Sequence, residues 1–408
     1  MSVIALLNLD VHFSAALRLS KGVAKGLHGG DVTLGEGALT SSAPHLPASL
    51  RRFIEVVPKA ELHVHVEGAL EPELMLALAA RNGLPPPYPS VEAARAAYHF
   101  TDLQSFLDLY YFGCSVLRTQ LDFYDLAMSY FRRAAADRVV HAEVFFDPQT
   151  HLANGLDWSV FMPGLARAAE DAAVELGLSA AYIMCFRKEM SAASANDTLS
   201  GALPWLGRGR IIGVGLDSSE LGNPPAKFAQ VFERAGRLGL QRVAHAGEEG
   251  PPEYVWEALR VLHVRRVDHG VHSLEDAALM AALNASRVPL TVCPLSNLKL
   301  KVYEGQLEKR LTQLVGSGLV ITVNSDDAAY FGGYAVANYN YLAQVTGMGV
   351  TQVARLAANS FEASFFVGPG SGGEARRTAL LGQVAALAAR ALEEEEKQET
   401  AEKRRWRR

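Results

Sequence analysis

The 408-residue sequence is short of cysteine and of charge, and each scarcity closes a class of function. Only three cysteines occur, Cys114, Cys185 and Cys293, widely separated and odd in number. They offer neither a disulfide framework nor a Cys-x-x-Cys metal site, so a reducing, cytoplasmic setting is expected. Charged residues make up 20% of the chain and the formal net charge is −5. With no basic footprint to hold phosphates, no nucleic-acid partner is expected. No apolar run approaches the roughly 20 residues that cross a bilayer, so no membrane partner is expected either. A small-molecule substrate fits better. Residues 1–50 are rich in Ser, Gly and Ala, but Asp10 and Asp31 are out of character for an organelle transit peptide. They read as a poorly ordered extension.

Hydrophobic residues supply 49% of the sequence, enough to bury a large core. From about residue 51, short β-branched runs alternate with longer Ala- and Leu-rich stretches, the pattern of parallel strands covered by helices. Eight strand candidates fall at 61–66, 139–146, 180–186, 211–216, 242–246, 266–269, 290–292 and 319–323. A single (β/α)8 TIM barrel over 51–366 is the economical α/β architecture. The rival doubly wound sheet favours a Gly-rich phosphate turn after the first strand, and here that strand runs into histidines. An insertion at 85–120, with Pro85 to Pro87 and a helix around Phe100, Leu103, Phe106 and Tyr110, is predicted to form a helical lid after the first strand. Residues 367–408 read as a C-terminal helix that dissolves into Glu393 to Glu396 and a basic, solvated tail.

Polar residues end several of the apolar runs, and barrel enzymes build their sites where strands end. His63 and His65 stand two apart on a predicted strand, so both rings share one face. His245 closes the run 242–245, and Asp326 follows the run 320–325. Three neutral imidazoles and one carboxylate suit zinc, and a further position left for water makes such a site catalytic. Bound water can then become a nucleophile near neutral pH. Other zinc signatures are missing: there is no His-Glu-x-x-His, and His141-Ala-Glu143 has no Pro-Cys-x-x-Cys partner. Glu248, in a Gly-containing loop, is a candidate acid, His269 a candidate partner of the activated water, and Asp327 a second carboxylate for substrate.

Taken together, PKAELHVH at 58–65, HAGE at 245–248, DHG at 268–270, CPLSN at 293–297 and SDD at 325–327 resemble the adenosine and adenine deaminase family, in family order. The resemblance implies one zinc ion per subunit on His63, His65, His245 and Asp326. It assigns Glu248 as proton donor to the purine ring, His269 as neighbour of the activated water and Asp327 as a purine contact. The implied reaction is hydroxide attack on C6, protonation of N1 and loss of ammonia. Two places resemble the adenine branch more than the adenosine branch: Glu67, where the latter carries an Asp for the ribose, and Glu220, where it carries a glycine. Both are expected to bind the substrate base, Glu220 at the ring edge that free adenine exposes. The rivals are a deaminase of adenosine or of an N6-substituted adenine, and a purine-binding barrel without catalysis. Ala328 and Asn223 depart from the family pattern without replacing a proposed catalytic group.

Overall fold

The computed structural model describes residues 46–207, 210–365 and 373–406. Eight strands follow one another in chain order: β1 Lys59–Glu61, β2 Val139–Phe146, β3 Ser179–Arg187, β4 Ile211–Asp217, β5 Gln241–Ala246, β6 Arg266–His269, β7 Leu290–Val292 and β8 Ile321–Val323. Each pairs in parallel with the next. A parallel bridge between Val64 and Asp326 brings the ends of β8 and β1 together, giving the (β/α)8 barrel.

The first strand is shorter than its apolar pattern implied. Its regular ladder stops at Glu61, and the histidine run follows as an irregular segment with single bridges at Val64 and His65. Side chains take over the hydrogen bonding there. Glu61 accepts from Tyr130 Oη at 2.6 Å and from Ser325 N at 3.0 Å, and Leu62 N donates to Asn324 Oδ1 at 2.9 Å. The run 62–66 is thus pinned to both neighbours: Asp326 N donates to the His63 carbonyl, and Phe145 N to that of Val64.

Local signals explain the helices. Helix Gln120–Ala136 opens at a capping box, with Thr119 and Asp122 each accepting the other's backbone N–H. It buries Phe123, Leu126, Ala127, Tyr130, Phe131 and Ala134, a stripe of helical period laid against the sheet. The main core lies between strands and helices, while Phe145, Ile183, Cys185 and Val243 form a second cluster inside the barrel. Towards the amino-terminal ends of the strands, buried Arg266 pairs with Glu143 at 2.6 Å and donates to the Leu62 carbonyl at 3.2 Å.

The expected N-terminal extension lies outside the described residues as far as residue 45, and helix Ala48–Val56 begins inside the remainder. Residues 366–372, which include the start of the expected C-terminal segment, also lie outside them. The C-terminal segment does not dissolve at its glutamates; it is one helix, Gly373–Trp406. Leu380 and Val384 are buried, Ser49 Oγ donates to Glu395, and the i,i+4 pairs Lys397–Glu393 and Lys403–Glu399 carry the helix through its charged part.

Candidate active site

The carboxyl ends of the strands surround a cleft. His65, Asp147, Asp217, Ser218, Glu248 and Asp327 line it from the barrel, and helix Leu103–Cys114 covers it with Leu103, Phe106, Leu107, Tyr110 and Tyr111. Phe145, in the core beneath the cleft, is the floor on which the imidazoles rest, its ring packed against those of His63, His65 and His245 at 5.0, 5.0 and 5.5 Å.

Above that floor His63, His65, His245 and Asp326 converge, each with a potential ligand atom within 4.8 Å of the others. Nε2 of His63 and of His65 lie 3.4 and 3.5 Å from Asp326 Oδ1, and Nε2 of His65 and of His245 face each other at 3.2 Å. The outer nitrogens face oxygen. His63 Nδ1 lies 2.8 Å from Thr291 Oγ1, whose own hydrogen goes to Asp268 Oδ1 at 3.0 Å, so Nδ1 is the donor. His245 Nδ1 and His65 Nδ1 point at Asp268 and Asp217, each at 3.7 Å. The proton on His63 Nδ1 leaves its Nε2 lone pair aimed inward, and the Nε2 atoms of His65 and His245 face the same point beside the Asp326 carboxylate. Buried His63 Nε2 has no hydrogen-bond partner among the described residues. That donor set fits a divalent cation, with the outer carboxylates fixing ring tautomer and orientation. Two further sets, His63, His269, Cys293 and Asp326, and His65, Asp147 and Asp217, also come within the same reach.

Burial depresses the pKa of His245 well below the ordinary histidine range, helped by the rings of His63, His269 and His65, and so keeps it in the neutral, ligating form. Burial alone would raise Asp326, but the His63 ring beside it holds the carboxyl below the usual range. Glu248 goes the other way: burial, then the charge of Asp326, pushes it well above the carboxylate range. Its Oε2 lies 3.5 Å from His269 Nε2, and His269 is 3.7 Å from Asp326. Asp327 is likewise raised, by burial and then by Asp326. The site therefore sets a carboxylate held below its usual range, Asp326, beside two carboxyl groups pushed above it, Glu248 and Asp327.

Backbone strain marks the same residues. Ser218, His269 and Asp326 adopt left-handed φ of 69°, 60° and 59°, which side-chain-bearing residues avoid. Gly68 is needed for close approach, because a Cβ there would collide with the Asp327 carboxyl.

Two proposed substrate ligands lie elsewhere. The Glu220 carboxylate accepts four backbone N–H groups, of Gly247 at 2.6 Å, Glu248 at 3.0 Å, and Glu249 and Gly250 at 2.9 Å each. Glu67 accepts from His151 Nε2 at 2.7 Å and from Asp147 N at 3.1 Å. Neither borders the cleft. Each is fully buried, and a buried carboxylate takes the donors that flank it. At the two departures from the family pattern, Asn223 donates to the Ser219 carbonyl and Ala328 opens a short helix. Asp147, Asp217 and Ser218 were not singled out from the sequence. Asp147 and Asp217 each end an apolar strand, the signal that exposed His245.

Comparison with known proteins agrees with this arrangement. Residues 58–384 match the family model described as adenosine deaminase. A protein of Ralstonia nicotianae named adenine deaminase is 56% identical over 79% of this chain and 94% of its own length. The crystal structure of adenine deaminase from Arthrobacter aurescens is 46% identical, covers 81% of this chain and 99% of its own, and superposes with a TM-score of 0.77. A zinc-bound amidohydrolase structure from Burkholderia ambifaria is 25% identical over 86% of this chain and 97% of its own, also with a TM-score of 0.77. Motifs, barrel and converging imidazoles lead to one conclusion: the chain belongs to the adenosine deaminase family.

Proposed function

We propose that this protein is a zinc-dependent adenine aminohydrolase that converts adenine and water to hypoxanthine and ammonia. The observation that carries the reading is the convergence of three imidazole Nε2 atoms and Asp326 in the cleft beside Glu248, whose pKa burial pushes up. The adenine deaminases of Ralstonia nicotianae and Arthrobacter aurescens support the choice of substrate. One zinc ion held by His63, His65, His245 and Asp326 would supply a Lewis acid able to lower the pKa of its water to about 7.

The chain's own groups do the rest. Glu248, held as the acid, donates to ring N1, so that the ring rather than the leaving amine receives the first proton. His269, neutral and within reach of both Glu248 and Asp326, takes the proton from the attacking water. Asp327, kept protonated, donates to the ring nitrogen on the other side of C6, which is N7. Helix Leu103–Cys114 acts as the lid that excludes water. Three buried free cysteines fit a cytoplasmic setting.

The test is a spectrophotometric assay of the zinc-loaded protein on adenine, adenosine and N6-methyladenine. Adenine is expected to be turned over at least roughly a hundredfold more efficiently than the others, and chelation to abolish turnover until zinc is restored. Activity confined to adenosine would overturn the substrate assignment.

A further inference from the structure

The proposed reading leaves open what tells the free base from its nucleoside, because Glu220 and Glu67 are occupied elsewhere. We infer that Asp147, at the end of β2, is the specificity-determining acceptor for the N9–H of the free purine. This inference rests on the proposed deamination of adenine.

Asp147 lines the cleft and is 1% exposed. Its Oδ2 lies 3.4 Å from the Tyr110 hydroxyl, while Oδ1, also buried, has no hydrogen-bond partner of ordinary geometry among the described residues; the Asp217 carboxyl beside it adds to burial in pushing Asp147 well above the carboxylate range. An unpaired buried oxygen in a binding cleft is costly unless a ligand supplies the missing donor. Either protonation state of a carboxyl group keeps an oxygen that accepts. Glu67 fixes the residue from behind: its Oε1 takes Asp147 N at 3.1 Å, and its Oε2, 3.3 Å from Tyr110 Oη, shares that hydroxyl's one hydrogen with Asp147 Oδ2. The candidate Glu67 contact with substrate thus becomes a positioning role one residue removed.

The order of the strands matches the order of the ring atoms. Around the barrel from β5 lie Glu248, then Ser218 after β4, Asp147 after β2 and Asp327 after β8. Around the purine from C6 lie N1, N3, N9 and N7. With C6 at the metal and N1 at Glu248, N3 meets the Ser218 hydroxyl, N9 meets Asp147 and N7 meets Asp327. Ser218 can donate to N3, since Tyr111 Oη, 2.8 Å away, can supply the hydrogen its own oxygen accepts. Free adenine carries a hydrogen on N9. In adenosine N9 bears the ribose carbon, which removes the donor and presses carbon against a buried carboxyl group.

The experiment compares adenine with 9-methyladenine in the wild type, Asp147→Ala and Asp147→Asn, each checked for zinc content and folding. The wild type is expected to prefer adenine by roughly a thousandfold or more, as for a site whose buried polar group loses its partner. Asp147→Ala should lose about a hundredfold on adenine and compress that preference below about tenfold, with Asp147→Asn between the two. If Asp147→Ala does not fold, binding of hypoxanthine and 9-methylhypoxanthine to the wild type decides. A clear preference for hypoxanthine, reduced in Asp147→Asn, supports the inference, and affinities within threefold overturn it. Adenine turnover with an unchanged preference in the variants overturns the inference alone. A protein inert towards adenine overturns the reading beneath it as well.

Discussion

Glu220 and Glu248 are both buried glutamates, yet their surroundings drive them to opposite charge states. Four backbone N–H groups and the positive charge of Lys188 overcome the burial of Glu220 and keep it ionised. Glu248 faces carboxylates instead, and burial and then Asp326 push its pKa well above the carboxylate range. The two are coupled, because the amides that Glu220 gathers include that of Glu248 itself. Glu220→Gln replaces one accepting oxygen by an NH2 that must face N–H donors. It is expected to lower kcat by about ten- to a hundredfold and stability by about 1–3 kcal/mol, while leaving the preference for adenine over adenosine intact. Kinetics on both substrates with urea unfolding would check this, and a collapsed preference would return Glu220 to the substrate. The residues that end apolar runs, His245 and Asp326 among them, were legible because a buried polar group at a strand end demands a partner. The tasks of Glu220 and Glu67 were not, because backbone donors that quench a carboxylate come from segments distant in sequence or from turns without a residue signature.

At the scale of elements, the eight strands and their order were readable from alternating composition, and seven of the candidate runs overlap the regular strands closely. The run 61–66 shows where that logic fails. Its apolar spacing is that of a strand, but Glu61, Asn324 and Ser325 replace ladder bonds with side-chain bonds that no local pattern announces. Helix Leu103–Cys114 was visible as a periodic stretch, and its capping box at Asp102 and Ser105 fixes where it starts. It packs through Phe106 on Phe331, with ring centroids 4.8 Å apart, and through Tyr110 on the cleft. Its backbone bonds lie within the helix, so it can move as one body. Hypoxanthine is therefore expected to slow amide exchange over 103–114 by about tenfold or more while strands β2 to β5 change little. Hydrogen exchange with mass spectrometry reads this directly, and uniform protection across the barrel would argue against a lid.

The two ends of the barrel bury different charged groups. The carboxyl ends of the strands hold the converging histidines and carboxylates, whereas the opposite end carries the Arg266–Glu143 pair and Lys59. Lys59 is buried and donates to the carbonyls of Val57 at 2.9 Å and Asp137 at 3.0 Å, tying β1 to the start of β2. Burial lowers its pKa from 10.5 to about 7, against the opposing pull of Asp137. Below about pH 7 the lysine is charged in both folded and unfolded chains, and the folded state bears the full cost of that buried charge. Between about 7 and 10.5 the unfolded chain binds the extra proton, so folding becomes more favourable as pH rises and loses that gain as pH falls back. Relative to Lys59→Met, which cannot titrate, the zinc-loaded wild type should gain about 1 kcal/mol of unfolding free energy per pH unit across this window. Urea unfolding of both proteins at intervals from pH 7 to 10 measures the difference. A difference that stays flat would mean that the two carbonyls and Asp137 keep the ammonium charged inside the fold.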